Sequence, residues 1–151
     1  MEREENIKQE LFQTFSILEE NFQIRRARRI ALKIDHAIFG QVIDFLYHKL
    51  RFHYLCAITG LDDGESLSFI YELSQEDGVL LSLKTSVPKK DPVLRTVTPY
   101  FRCADVYERE VVDLLGARVE GLPSGNRYPL TDDWPAGQYP LRKDWTPDLL
   151  K

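Results

Sequence analysis

Ser66-Leu67-Ser68-Phe69-Ile70-Tyr71-Glu72-Leu73-Ser74 is followed by Gln75-Glu76-Asp77-Gly78 and then by Val79-Leu80-Leu81-Ser82-Leu83-Lys84-Thr85-Ser86-Val87. Leu67, Phe69, Tyr71 and Leu73 fall on one side of an extended chain, and Ser66, Ser68, Glu72 and Ser74 fall on the other. A period of two is the signature of a strand with one buried face. Glu76-Asp77-Gly78 supplies a hairpin turn, after which Val79, Leu81, Leu83, Thr85 and Val87 line one face of the next run. An earlier run, Arg51 to Thr59, is rich in aromatic and β-branched residues and ends at Gly60-Leu61-Asp62-Asp63-Gly64. Three runs joined by short turns predict an antiparallel meander.

Toward the N-terminus the spacing changes. From Ile7 onward Leu11, Phe15, Leu18 and Phe22 recur every three or four residues among Glu4, Glu5, Lys8, Glu10 and Glu19, which predicts an amphipathic helix. Ile30, Leu32 and Ile34 alternate with Arg29, Ala31 and Lys33 as in a strand with one wet face. Asp35 can cap a second helix marked by Phe39, Val42, Ile43, Leu46 and Leu50, despite a helix-weakening Gly40. The class that results is α+β, an antiparallel sheet covered by helices.

Beyond Pro88-Lys89-Lys90-Asp91-Pro92 a third helix is expected from Asp105 to Leu115. Asp105 and Glu108 fit a capping-box pattern, Tyr107, Val111, Leu114 and Leu115 share a face, and Gly116 is suited to end the helix. Glu108, Arg109, Glu110 and Asp113 form the densest titratable cluster on any expected element. Three roles fit such a cluster: a solvated helix face, an acid/base site using Glu108, Glu110 or Asp113, or an interface that pairs some of the charges. An acid/base site needs a carboxylate with a perturbed pKa in a pocket.

The chain of 151 residues has the length of one domain, and its 20 Lys and Arg against 24 Asp and Glu give a net charge of −4. The composition, 43% hydrophobic and 29% charged, is that of a globular protein and not of a disordered one. No run approaches the roughly 18 apolar residues of a membrane span, and the acidic start carries no secretory h-region, so a cytoplasmic address is expected. Cys56 and Cys103 lie far apart and His36, His48 and His53 never fall at H-x-x-x-H spacing, so neither a disulfide framework nor a self-contained metal site is indicated. Asp62-Asp63-Gly64-Glu65 lacks EF-hand spacing and reads as a turn. Arg25-Arg26-Ala27-Arg28-Arg29 is the one basic run, but the acidic balance and the lack of a recognised binding motif argue against nucleic acid. An inter-subunit or helix–strand junction role is expected for it instead.

Five of the eight prolines and both tryptophans fall after Leu122. Proline disfavours strand and helix, whereas the aromatic content argues against disorder. Residues 122–151 are therefore expected to form an extended proline-rich arm that lays Trp134, Trp145 and its neighbours on a partner, with residues 1–121 as the folded domain. Truncation after Leu122 should then leave that domain folded. The competing expectation is that the segment wraps back over its own sheet.

Glu108-Arg109-Glu110-Val111-Val112-Asp113-Leu114-Leu115-Gly116, with Glu120-Gly121, Asp132-Asp133-Trp134 and Pro140-Leu141-Arg142-Lys143-Asp144, resembles the 30-kDa subunit family of respiratory complex I and of related membrane-bound nickel-iron hydrogenases. Ile58-Thr59-Gly60-Leu61-Asp62 and Phe69-Ile70-Tyr71-Glu72-Leu73 fit the same family, so the resemblance spans about Phe52 to Trp145. It implies a non-catalytic peripheral-arm subunit without cofactors, docked on a large and a small redox subunit. Iron–sulfur clusters and a quinone or nickel-iron centre would belong to those partners. The contact residues it implies are Glu108, Arg109, Glu110, Asp113, Arg127, Asp133, Trp134, Pro140, Leu141, Arg142, Lys143, Asp144 and Trp145. Association with the cytoplasmic face of the inner membrane would be indirect, through the complex. Where the family often has Gly-His-Pro-Asp and basic residues, Gly121-Leu122-Pro123-Ser124-Gly125-Asn126-Arg127 keeps the Gly, the Pro and one Arg, a form closer to hydrogenase-associated members. A small free-standing acid/base enzyme, or a homo-oligomeric module exchanging aromatic tails, are the alternatives from other classes.

Overall fold

The computed structural model describes residues 2–150. In chain order the main elements are α1 (Glu2–Thr14), β1 (Phe22–Arg26), β2 (Arg29–Lys33), α2 (Phe39–His48), β3 (Tyr54–Asp62), β4 (Ser66–Ser74), β5 (Leu80–Pro88), β6 (Val93–Arg95), α3 (Ala104–Leu115) and β7 (Arg118–Glu120). A five-stranded sheet has the order β1-β2-β5-β4-β3, and β6 and β7 form a separate pair. The chain divides into two compact units, one made of residues up to Ala57 with Ile70–Thr85, the other of Ile58–Phe69 with the residues from Ser86 onward.

The hairpins of the central strands are those that the alternation predicts. Gln75 N–H donates to Val79 O at 3.0 Å across the β4–β5 turn, and Asp63 N–H donates to Ser66 O at 2.9 Å across the β3–β4 turn. Connections this short oblige neighbouring strands to run antiparallel. β3 continues through Gly60 to Asp62, so its turn is shorter than the glycine-bounded stretch suggests. Gly60 is kept inside the strand by crowding: a Cβ there would lie 2.2 Å from Leu115 Cδ1.

The meander is not the whole sheet. β2 pairs with β5 in parallel, Ile30 beside Leu81 and Leu32 beside Leu83. A parallel neighbour requires a crossover, here supplied by the chain from α2 through β4. The pairing matches four buried aliphatic side chains on one face, which an antiparallel expectation drawn from turn lengths alone does not anticipate.

In the first unit the predicted N-terminal helix stops early. α1 ends at Thr14, Ser16–Asn21 forms a 3₁₀ stretch, and Phe22 opens β1. The apolar spacing runs on because Leu18 and Phe22 remain buried through the change of geometry. Phe12 meets Phe22 edge-on at 5.5 Å and Phe15 meets Phe45 of α2 at 5.5 Å. The basic run becomes the end of β1 and a tight turn, with Arg28 at φ 61° and its N–H donated to the Glu4 carboxylate. Asp35 caps as expected, accepting from Ala37 N–H at 2.8 Å ahead of α2. Phe39 of α2 tilts against Tyr71 of β4 at 4.9 Å, and both are buried.

Truncating Phe39 to Ala should therefore cost about 3–5 kcal/mol through lost burial and a residual cavity. Urea denaturation of the full chain measures this, and a loss below about 1 kcal/mol would mean that the α2–β4 contact is not a core contact.

Candidate docking surface

The second unit is organised around α3. β6 and β7 are parallel, Val93 beside Arg118 and Arg95 beside Glu120, and α3 is the crossover between them. The helix begins at Ala104 with Cys103 at its N-cap position and no side-chain cap. The capping box expected of Asp105 and Glu108 does not form, because both side chains have other partners. The buried stripe is Ala104, Glu108, Val111 and Leu115, which places a carboxylate where the apolar count expects only hydrocarbon. Tyr107 and Leu114 are half-buried instead.

Glu108 is 1% exposed. One carboxylate oxygen accepts from Thr96 Oγ1 at 2.6 Å and the other from Val97 N–H at 2.7 Å. Thr96 Oγ1 in turn lies 2.8 Å from Thr98 Oγ1 and accepts from Thr98 N–H at 3.1 Å. The carboxylate thus ties the turn after β6 to the middle of α3. Burial pushes its pKa up, against the two hydrogen bonds that favour the ionised form.

The other members of the charged cluster also turn toward their own chain. Arg109 pairs with Asp105 at 2.8 Å and donates to Pro123 O and, at 3.5 Å, to Asn126 O. Asp113 is 7% exposed and accepts from both Arg127 Nε and Nη2, at 3.3 and 3.2 Å, and from Leu130 N–H at 3.0 Å. Arg127 Nη1 continues to Trp134 O at 3.2 Å. Glu110 is half-buried. A solvated helix face is therefore the wrong description of Glu108 and Asp113.

The C-terminal segment does not extend away from the domain. It belongs to the second unit, and the division at residue 121 expected from composition is not where the compact units part. Its anchors are polar groups that composition does not weigh. The end of α3 presents carbonyls that need donors: Leu141 N–H donates to Leu114 O at 3.0 Å and Arg142 Nε to Leu115 O at 2.6 Å. A cation at this end also opposes the helix dipole. Arg142 lies 4.7 Å over the Tyr139 ring, and Tyr139 fills the space beside Gly116, whose φ is 72°. Gly116 thus ends the helix as expected and also makes room for the ring.

Further along, Lys143 N–H donates to Asp62 Oδ2 at 2.8 Å, and Asp62 also receives Lys89 Nζ at 2.7 Å and Gly64 N–H at 2.8 Å. Burial raises the Asp62 pKa, but the donors outweigh it and hold the carboxyl at about 2. Lys89 reaches Asp144 as well, at 3.2 Å, and these carboxylates raise its own pKa. Trp134 and Trp145 lie 6.0 Å apart and both donate to Gln138, to its backbone O and its Oε1 at 2.8 Å each. Asp133 is exposed, its carboxyl held low by hydrogen bonds from Thr131 and its own backbone.

Large apolar side chains of this segment are left facing solvent. Tyr128 is 47%, Leu141 55% and Leu149 54% exposed, and Leu150 is exposed too. Pro140 is half-buried. Of the predicted contact residues, then, Arg109, Asp113, Arg127 and Arg142 position the segment, Glu108 holds the turn after β6, and Leu141 and Asp144 are exposed. Asp62, Thr96, Lys89 and Gln138 complete the arrangement and escape a sequence reading, since most of their partners are distant in the chain. Among the described residues no group of His, Cys, Asp and Glu is placed to hold a metal ion, and no helix is long and apolar enough to cross a membrane.

The fold and this arrangement define an α+β protein whose charged residues hold its own C-terminal segment in place. The chain belongs to the family described as respiratory-chain NADH dehydrogenase, 30 Kd subunit, whose model matches residues 32–148. It is 32% identical over 120 residues to a subunit of the F(420)H(2) dehydrogenase of Methanosarcina mazei, covering 78% of this chain and 75% of that protein. It is 35% identical over 121 residues to the beta subunit of the membrane-bound hydrogenase of Pyrococcus furiosus, covering 77% of this chain and 69% of the other. Other relatives are longer, and the matched stretch covers 40% and 41% of two NADH-quinone oxidoreductase subunits, from Nocardioides sp. and Chloroherpeton thalassium. Among solved structures, a chain of the membrane-bound sulfane sulfur reductase, an archaeal respiratory membrane complex, shares the fold with a TM-score of 0.84 at 24% identity, over 97% of this chain and 87% of that one.

Glu108→Ala should cost about 1–3 kcal/mol by leaving Val97 N–H and Thr96 without their acceptor. Glu108→Gln can serve both partners and should be tolerated. Because the folded-state pKa is raised, wild-type stability is full below the ordinary glutamate range and falls as pH rises through the raised value. The stability of Glu108→Gln relative to wild type should therefore improve over that rise, which denaturant titration at several pH values will show or refute. Asp62 carries the opposite sign: its folded-state pKa is lowered, so its contribution is present above the ordinary aspartate value and is lost as pH falls toward about 2. Asp62→Asn should be less stable than wild type at neutral pH and converge on it in acid, and a constant difference across that window would contradict the assignment.

Proposed function

We propose that this chain is a non-catalytic subunit of a complex I-like or hydrogenase-type membrane complex, and that it docks on the redox subunits through its C-terminal segment. Family membership over residues 32–148 supports the class of complex. The relatives named as dehydrogenase and hydrogenase subunits support it as well. One observation carries the docking role: Leu141 is fixed by its own backbone to the end of α3 while its side chain stays 55% exposed. An apolar group held rigidly in solvent is preorganised for a partner, because its ordering cost is already met within the free chain.

In this reading the iron–sulfur clusters and the quinone or nickel-iron centre reside in the large and small partner subunits, and the chain reaches the cytoplasmic face of the membrane through them. Two of the three carboxylates that an acid/base enzyme would use are committed to partners in their own chain: Glu108 to Thr96 and Val97, Asp113 to Arg127 and Leu130.

The test separates docking from folding. Leu141→Glu in the full chain should keep the wild-type melting temperature, as surface changes away from special contacts usually fall within about 0.5 kcal/mol. Expressed in place of the native subunit, it should no longer co-purify with the large subunit. Co-purification at wild-type stoichiometry by both Leu141→Glu and Leu149→Glu would refute the docking role. Iron or nickel bound stoichiometrically by the isolated chain would refute the assignment of roles.

A further inference from the structure

The C-terminal segment encloses a pocket of about 180 Å³ within the second unit, and Gln138, Tyr139, Arg142, Asp144, Trp145 and Leu149 line it. Arg142 is half-buried. Its Nε is committed to Leu115 O at 2.6 Å and its guanidinium carbon lies 4.7 Å over the Tyr139 ring, but Nη1 and Nη2 have no acceptor among the described residues. Gln138 is in a similar position. Trp145 Nε1 donates to its Oε1 at 2.8 Å, which orients the amide and leaves Nε2 without an acceptor among the described residues. None of these donors is sealed from solvent, so all are open to a ligand.

The nearby carboxylates are already engaged elsewhere. Asp144 lines the same pocket but pairs with Lys89 at 3.2 Å, and Lys89 is shared with Asp62, which the N–H groups of Lys143 and Gly64 also hold. Asp148, next to Leu149, has a partner of its own. Lys89, Arg142 and Lys143 thus stand against Asp62 and Asp144, three cations against two carboxylates, and Arg142 is the one that neither carboxylate meets. The end of α3 contributes only the partial charge of its open carbonyls, roughly half an elementary charge. The overall charge of −4 is spread over the whole chain and screened beyond a Debye length of about 10 Å at 0.1 M salt, so the local balance decides.

We propose that this pocket receives the carboxylate of one aspartate or glutamate of a partner redox subunit, seated on Nη1 and Nη2 of Arg142 and on Nε2 of Gln138. The assignment rests on the docking role of the C-terminal segment and names the polar contact at its centre. A carboxylate matches the guanidinium fork and brings two acceptor oxygens with no donor of its own, which is what a pocket with surplus donors lacks. Packing on Tyr139 and Leu115 O orders Arg142 and removes part of its hydration in the free chain, so less of that cost falls on binding. Leu149 lines the same pocket and is 54% exposed, an apolar rim that a partner would cover to exclude water from the pair. An anionic lipid surface fits less well, because a single cation adds only about 1 kcal/mol there and Asp144 stands beside it.

Cross-linking in the assembled complex tests the proposal. With Arg142→Lys in place of the native subunit, a water-soluble carbodiimide should join the amine at position 142 to an aspartate or glutamate of a partner subunit, identified by mass spectrometry of the linked peptides. Arg142→Gln, which can still donate to Leu115 O, should weaken binding of the full chain to the rest of the complex tenfold or more and flatten its salt dependence. Lys143→Gln, an exposed cation next in the chain, should change the affinity less than twofold. In the wild type, phenylglyoxal should label Arg142 in the free chain and not in the complex, a readout that needs no variant and decides the matter should either Arg142 variant fail to fold or assemble. A link confined to Asp144 of the same chain, no link at position 142 in the assembled complex, equal phenylglyoxal labelling, or an affinity for Arg142→Gln within twofold of wild type overturns the proposal. So does binding of the chain to phosphatidylglycerol vesicles that Arg142→Gln abolishes. Loss of co-purification by Leu141→Glu alongside any of these results would leave the docking role standing without this contact.

Discussion

Asp113 sits on the buried side of α3 with a charge that water cannot reach easily, and the hydrogen-bond donors that satisfy it come from residues 14 to 17 positions further on: the guanidinium of Arg127 and the N–H of Leu130. A buried carboxylate without donors is costly enough that the chain either neutralises it or brings partners to it. Here the partners are brought, and the path of the chain after β7 follows from that requirement. Once Arg127 is seated, its remaining donor holds Trp134 O. The same logic repeats at the end of the helix, where open carbonyls take Leu141 N–H and Arg142, and at Asp62, which takes Lys143 N–H. Three polar demands, spaced along the segment, hold a stretch that has almost no regular secondary structure of its own.

This mode of holding has a functional consequence. A segment packed by hydrophobic burial hides its apolar side chains, whereas one held by backbone and guanidinium hydrogen bonds can leave them outside. Tyr128, Leu141 and Leu149 remain exposed for that reason. In the proposed role the charged residues of α3 act from behind, fixing a surface that they do not themselves form. Arg109 and Asp113 of the family motif then read as positioning residues, while Glu108 fixes the turn after β6 to the helix. The residues a partner would meet lie mainly in the segment it positions.

Much of the first unit and the central strands is readable from local pattern. The alternation of Leu67, Phe69, Tyr71 and Leu73, the turn at Glu76-Asp77-Gly78, the Asp35 cap and the helix end at Gly116 each express a rule that acts within a few residues. The departures also share a cause. Helical spacing of Leu18 and Phe22 predicts an N-terminal helix that reaches Phe22, but burial alone cannot tell a helix from a 3₁₀ stretch leading into a strand. Local pattern allows a capping box at Asp105 and Glu108, yet Thr96 and Val97 claim Glu108 from another element. The parallel β2–β5 pairing leaves no trace in turn lengths, since it joins strands separated by the whole crossover.

By itself, then, the amino-acid sequence determined the central strands and their hairpin turns, the bodies of the three helices and which family the chain resembles. All of these depend on interactions between near neighbours or on ordered motifs. Only the tertiary structure decided that the proline- and tryptophan-rich segment returns to its own domain and that the charged helix faces inward to receive it. That outcome depends on buried carboxylates and open helix carbonyls meeting donors tens of residues away. No local periodicity encodes such a pairing, because its driving force is the desolvation of groups that become neighbours only once the chain has folded.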